Sequence, residues 1–339
     1  MRSLRTGRRQ GVPAADRAAP PDGTAAAPGQ GGTGSAARSY RRLFDDRVLP
    51  ILLILPAVVL IAGLIGYPVI RTGWLSLNDA SGLRALTEGA MEFVGFGNYV
   101  EIFADPNLRR SAITTVVFGL ACVAGTMLVG IGVALLLNRP FRGRGLLAIL
   151  VLLPWAIPHI AASYVWQWLF NDQYGVLNWA LTTVGLSQFD GFAWFNHWLP
   201  AFTVVGIVVV WQSFPFVSIA LLAGLQTVSK DVMEAATLDG ATPWQRTRLV
   251  TLPMLKPLLL VLVVISTIWD FKVFDQIYVL TGGGPARQTE VLTIITYVEA
   301  FTQAEYGRGS ALAMILFLIL LAITIVYIKL VKDEEQIGA

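Results

Sequence analysis

Six apolar runs, at 48–70, 111–138, 145–170, 199–226, 257–280 and 309–328, restrict the fold of this chain more than anything else in its sequence. Five of the six contain no Asp, Glu, Lys or Arg. A helix rises about 1.5 Å per residue, so about 20 apolar residues cross a hydrocarbon core of about 30 Å, and a helix satisfies its own backbone polar groups while doing so. The expected fold class is all-α, a polytopic membrane protein with six transmembrane helices. A composition of 55% hydrophobic and 14% charged residues agrees, since soluble domains rarely reach either value. The fifth run is the exception, because it carries Asp270, Lys272 and Asp275.

Six spans return the chain to the side on which it began, and the basic residues say which side that is. Eighteen Lys and Arg fall in 1–47, 139–144, 227–256 and 329–339, against five in 76–110, 171–198 and 281–308. Basic loops stay in the cytoplasm. Both termini and the polar segment 227–256 are therefore expected on the cytoplasmic face of the plasma membrane. Residues 1–39 hold nine Ala, seven Gly and four Pro with no aromatic residue, too little apolar surface to fold, so 1–40 reads as a disordered cytoplasmic tail ahead of a membrane domain at 41–339. Its first apolar run starts too late and is too long for a cleavable signal peptide.

On the opposite side, 76–110 is long enough for a small structured cap whose turns fall to Asn78, Gly82, Gly95 and Pro106. Segment 171–198 carries Trp179, Phe192, Trp194, Phe195 and Trp198, aromatics suited to the membrane boundary, with His197 as a polar neighbour. The lone Cys122 reads as a small buried hydrophobe, and the net charge of +3 is accounted for by cytoplasmic loops and tail, so no nucleic-acid partner is implied.

Catalytic chemistry is hard to find. A phosphate-cradling loop needs Gly-Lys-Ser/Thr, and none of the five lysines follows a glycine. Two separated histidines and one cysteine offer neither a metal cluster nor a nucleophile–base pair, so the chain is not expected to be an enzyme and has no cofactor of its own. Gly282-Gly283-Gly284-Pro285 reads as a helix-ending turn.

Residues 234–253, EAATLDGATPWQRTRLVTLP, interrupt the apolar chain between spans four and five. Ser229 can cap a short helix that ends at Gly240, a residue free to adopt the left-handed conformation. Thr242-Pro243-Trp244-Gln245 then has the form of a capping box with proline at the first helical position. Helix, tight turn, helix on the cytoplasmic face suits a docking element, with Ala235 and Ala236 allowing close approach.

Within the membrane, Pro154 and Pro158 bend the third span and free carbonyls that only protein or a water-filled cavity can satisfy. Treated as one continuous helix, the fifth span groups Ser266, Trp269, Asp270 and Val273 on one face and sets Lys272 and Asp275 on the other as an ion pair. Intramembrane charge points to function, which leaves Asp270 as the solute-binding group and the pair as structural. A carboxylate beside indole rings suits a sugar, whose hydroxyls donate to the acid while its apolar face stacks on the ring. An ion-coupled secondary transporter using Asp270 and Asp275 is the alternative reading.

The spacing Glu234-Ala235-Ala236, three residues, Gly240, nine residues, Val250, one residue, Leu252-Pro253 resembles the signature loop of ABC-importer permeases, with Val where Ile is usual. Phe93–Tyr99 as FVGFGNY, Leu153–Pro158 as LPWAIP and Thr281–Pro285 as TGGGP further resemble the maltose-type, carbohydrate-uptake branch of that family. The resemblance covers roughly 48–330 and implies a type I ABC-importer permease fold. It implies that 227–256 seats in a cytoplasmic ATPase subunit through Glu234, Ala235, Ala236, Asp239 and Gly240. It implies a second, homologous permease, two ATP-binding cassette subunits that hold ATP and Mg, and an extracytoplasmic binding protein meeting Gly282, Gly283 and Gly284. Carried over by the shared motifs, the sugar-holding positions fall on Trp155, His159, Gln212, Ser213, Phe216, Ser266, Asp270 and Val273, to which the indole of Trp269 is adjacent. The solute so implied is a disaccharide or short oligosaccharide of the maltose or trehalose kind.

Overall fold

The computed structural model describes residues 48–337, so the expected tail at 1–40 lies outside the described residues. The described residues divide into two units on either side of residues 63 and 64. Within the first, α1 (Val48–Ile61) is uniformly apolar around its circumference, and its side chains from Pro50 onward are exposed. A helix apolar all round has the composition of a membrane span. The stretch Pro50–Leu75, in which residues Ala62–Gly66 form a π-helical turn, has the length and composition of a membrane span.

The second unit begins with α2 (Tyr67–Leu75). A small cap follows, in which Asn78–Asp79 pairs antiparallel with Glu92–Phe93 around α3 (Gly82–Thr87), and α4 (Gly97–Ala104) closes it. The buried Asn98 amide holds the cap together by donating to the carbonyls of Ser76 and Asn78, both at 2.9 Å. Gly82 and Gly95 do adopt positive φ, but Asn78 is a strand residue and Pro106 makes no turn. Instead Pro106 opens α5 (Pro106–Asn138), capped by the Asp105 carboxylate, which accepts from Asn107 N at 2.8 Å.

The third apolar run is not one bent helix. It is divided into α6 (Arg144–Ala156) and α7 (His159–Leu169), whose axes differ by 99°. Pro158 explains the division: it drives Ile157 into extended backbone (ψ 132°) and caps the second piece. After α8 (Val176–Thr183), α9 (Trp198–Leu225) runs unbroken through Pro215. The polar segment folds as α10 (Lys230–Leu238), α11 (Pro243–Arg246), a π-helical turn at Thr247–Thr251 and α12 (Leu252–Met254). The stretch Pro243–Met254 then bends by 74° into α13 (Lys256–Asp270).

The fifth run is also broken, because α13 stops at Asp270 and helix resumes only with α14 (Asp275–Leu280). Segment 281–308, expected as a loop, contains the buried α15 (Leu292–Tyr297) continued by a π-turn at Val298–Thr302. The chain ends in α16 (Tyr306–Ile337). By length and composition the described residues hold four unbroken spans and two bent pairs.

Helices α5 and α9 form the central seam. Glycines allow the approach: a Cβ on Gly130 would lie 2.5 Å from Val217 and one on Gly125 2.8 Å from Val210, while one on Gly119 would lie 2.5 Å from the ring of Phe271, just past α13. On one half of the seam Phe118 and the buried Cys122 pack with Val205, Val208, Val209 and Ile277. On the other, Val123, Met127 and Ala134 pack with Val217, Leu221 and Leu262.

Candidate functional site

The polar segment folds as its caps require. Ser229 Oγ accepts from Asp231 N at 3.2 Å, and Thr242 and Gln245 form the reciprocal capping box. Gly240 has φ +80°, with Gly240 N donating to Thr237 O (3.1 Å) and Ala241 N to Ala236 O (3.0 Å), the paired bonds of a Schellman turn. Arg246 Nη1 donates to Thr237 Oγ1 at 2.6 Å and ties α11 to α10. Glu234, Ala235, Asp239 and Gly240 are exposed and Ala236 is half-buried. Around them Leu238 is 89% exposed and Trp244 66%, apolar groups on a polar element.

A second site lies where the two broken spans meet. A cavity of about 400 Å³ is lined by Trp155 and His159 from either side of the first break, Gln212 and Ser213 from α9, and Trp269, Asp270 and Val273 at the second. The two breaks make it possible, since backbone leaving helical geometry inside a membrane must meet protein or water. The carbonyl of Ile157 accepts from Gln212 Nε2 at 3.4 Å, and Gln212 Oε1 accepts from Gln276 Nε2 at 2.9 Å.

Asp270 is 2% exposed. Its Oδ1 accepts from Ser213 Oγ at 3.3 Å; among the described residues Oδ2 completes no hydrogen bond of good geometry, and the buried Thr126 hydroxyl is the donor nearest the carboxylate after Ser213. Aromatic rings frame it: Phe216 lies against Trp269 (centroids 4.9 Å) and Trp155 (6.3 Å).

Seven of the nine residues expected to bind solute line this cavity, and two do not. Phe216 stands behind the two indoles it orients, and Ser266, one turn before Asp270, is buried away from the cavity lining. The expected separation of Asp270 from Lys272 and Asp275 also fails. Because helix ends at Asp270, a 100° wheel no longer applies, and both charged residues turn into the same cavity. Lys272 and Asp275 form no ion pair among the described residues; Asp275 lies 3.8 Å from His159 Nδ1 instead. Val209, Phe274 and Gln276 complete the lining and were not anticipated from sequence. Three charges in an otherwise apolar run were the available sign that the helix would break there. Trp211, an aromatic beside the predicted site residues, packs on Trp166 at 5.4 Å and takes no part.

The Gly-rich turn ends α14 as expected, with φ +57° at Gly282 and +90° at Gly283. It is tightly built: Gly283 is buried, with space for a Cβ only at 3.4 Å from Glu290 and 3.5 Å from Ile294, and Gly282 alone of the three glycines is exposed. Arg287 Nε donates to Glu290 Oε2 at 2.7 Å, which raises the guanidinium above its already high pKa. The expected aromatic boundary at 171–198 is partly a packed cluster, in which Trp194 meets Phe170 edge-on at 5.2 Å and its indole N–H donates to Asn178 Oδ1 at 2.6 Å.

Comparison with known proteins places this architecture. The family described as "binding-protein-dependent transport system inner membrane component" matches residues 126–331. The chain is 38% identical to the diacetylchitobiose uptake system permease protein DasB of Streptomyces coelicolor, over 91% of this chain and 94% of that one. It is 37% identical to the trehalose/maltose transport system permease protein MalF of Thermococcus litoralis, over 84% and 94% respectively. In fold it is similar to a chain of a bacterial ABC transporter that imports the acidic polysaccharide alginate, with a TM-score of 0.71 at 22% identity, covering 87% of this chain and 99% of that one. With more than half its length matched by that model and relatives this similar along most of it, the chain belongs to the binding-protein-dependent transport system inner membrane components, the permease subunits of ABC importers.

Proposed function

We propose that this permease conducts a sugar, a disaccharide or short oligosaccharide of the maltose or trehalose kind, through the cavity at the two broken spans. The single observation that carries the reading is Asp270. Its carboxylate, flanked by the Ser213 and Thr126 hydroxyls, lies in one cavity lining with the indoles of Trp155 and Trp269 and the amides of Gln212 and Gln276. Hydroxyl donors for the acid and an apolar ring face for the indoles are what a pyranose offers. The relatives named for diacetylchitobiose and for trehalose/maltose uptake support the same class.

The chain is a membrane conduit, and in its family the ATPase resides in partner subunits. In this reading the transporter pairs it with a second permease, two ATP-binding cassette subunits that hold ATP and Mg seat against α10 and α11 through Glu234 to Gly240, and a binding protein delivers the sugar near Gly282. Both termini face the cytoplasm. ATP-driven closure of the ATPases reaches the cavity through α10–α13 as a rigid-body shift. Family membership lends no support to the ion-coupled alternative. ATPase stimulation of the reconstituted complex by binding protein loaded with each of a panel of disaccharides tests the reading: one or a few sugars are expected to stimulate, and stimulation by none, with an amino acid or anion stimulating instead, refutes it.

A further inference from the structure

A second cavity of about 410 Å³ lies at the opposite end of α9 from the α10–α11 element, between the end of α7 and residues 193–196. Its floor is fixed by the buried Phe170 and the edge-on Trp194, whose indole N–H is already engaged by Asn178. Its rim is Trp168 and Tyr174, 56% and 60% exposed and 6.2 Å apart between ring centroids. Between rim and floor stand the side chains of Asp172 and Asn196, which make no hydrogen bond among the described residues. Gln167 also lines the cavity and is anchored by Nε2, which donates to Val279 O at 3.2 Å. Aromatics that only anchor a helix at a membrane boundary need no such set of open amide and carboxylate groups beside them.

We infer that this pocket is an outer sugar-binding subsite, which holds a pyranose unit on Trp168 and Tyr174 before the solute reaches the cavity at Asp270. The inference rests on the sugar reading above and extends it. Ring faces for stacking, with a carboxylate and amides at hydroxyl height, repeat the chemistry of the inner cavity. The two sites share one helix: His159 opens α7 and lines the inner cavity, Trp168 lies nine residues on, about 13 Å along the axis at 1.5 Å per residue. At about 100° per residue Trp168 stands on the far face of α7 from His159, so the two cavities are separate sites on one helix.

The test uses the complete transporter in nanodiscs without its binding protein, titrated with maltose, trehalose, cellobiose and diacetylchitobiose and read by saturation-transfer NMR. Asp270→Asn is expected to remove one class of binding and leave a second. In that background Trp168→Leu, which stays apolar but cannot stack, is expected to weaken the remainder about three- to tenfold, and Trp168→Tyr to retain it. Tyr174→Leu carries the same expectation should the Trp168 variant fail to assemble. Unchanged binding in both Leu variants overturns the inference, as does loss of all binding in Asp270→Asn alone. A Leu variant that binds sugar normally but responds poorly to binding protein also overturns it, by making the pocket a protein contact. Should no sugar bind and none stimulate ATPase activity through the binding protein, the sugar reading itself falls; sugar-stimulated ATPase with no outer binding removes only the subsite.

Discussion

Gly240 separates two ways in which a residue at the turn between α10 and α11 can matter. Its φ is +80°, and a Cβ added there would meet nothing within 4 Å. Any substitution therefore costs backbone strain alone, with no clash inside this chain. For Ala the left-handed conformation costs about 1–2 kcal/mol, for Asn less, and for a β-branched residue toward the top of the roughly 1–3 kcal/mol range of such strain. Since about 1.4 kcal/mol is tenfold in an equilibrium, Gly240→Val lowers the share of correctly turned α10–α11 on the order of a hundredfold, Gly240→Ala about tenfold, and Gly240→Asn by a small factor. Sugar-stimulated ATPase activity of the reconstituted complex, at constant transporter content in the membrane, is expected to fall in the order Asn, Ala, Val. Two results refute the reasoning. Full stimulation in Gly240→Val would show that the Schellman turn does not transmit motion. An equal loss in all three would show that any side chain at this open position collides with the docked partner, so that space in the complex and not φ is what the glycine supplies.

Three other variants probe the cavity and its frame. Asp270→Asn keeps shape but replaces a charge-assisted acceptor, and is expected to weaken sugar-dependent uptake about 10- to 100-fold, from roughly 1.5–3 kcal/mol for a hydrogen bond to a charged group, while basal ATPase activity stays; unaltered uptake would remove Asp270 from the site. Gly119→Ala places a methyl 2.5 Å from the Phe271 ring and is expected to lower the thermal midpoint in detergent by an overpacking cost of about 1–3 kcal/mol, recovered in part by Phe271→Leu; additive losses in the double variant would contradict the contact. Asn98→Ala leaves the buried carbonyls of Ser76 and Asn78 without their shared donor, a cost of about 1–3 kcal/mol, and is expected to expose the 78–93 cap to limited proteolysis without changing ATPase activity.

Length and charge alone located the spans, because an uncharged run long enough to cross a bilayer has few other ways to satisfy its backbone. Local chemistry located Ser229, Gly240 and the Thr242 box equally well, since capping depends on residues three or four apart. What stayed hidden depends on breaks. Pro158 announced a bend in the third span but not a turn of 99°, and nothing at 271–274 marks a stop in the way that proline or glycine would. Assuming a continuous helix therefore put Lys272 and Asp275 on the wrong face, and Gln276 out of reach. The buried α15 was missed for a related reason: Leu292–Thr302 is too short for a span, and its apolar character becomes legible only once Leu292 and Ile295 are seen packed on Leu312.

The positions of the two breaks account for why the cavity holds charge at all. An unbroken helix would turn Asp270, Lys272 and Asp275 to different sides and leave at least one in lipid, at a cost of several kcal/mol. Stopping α13 at Asp270 and restarting at Asp275 lets all three face one aqueous space. The break at Ile157–Pro158 opens that same space from the other wall, and Gln212 on the unbroken α9 bridges the two by bonding Ile157 O and Gln276 together. The outer pieces α7 and α14 are then joined to each other by Gln167 on Val279 and by His159 beside Asp275, and not by continuous helix to the inner pieces α6 and α13. In the coupling proposed above, motion passed from the α10–α12 segment to α13 alters the cavity at the breaks while α7 and α14 hold together as one wall. Fusing either break into continuous helix would couple the two ends rigidly and close the space that Asp270 needs.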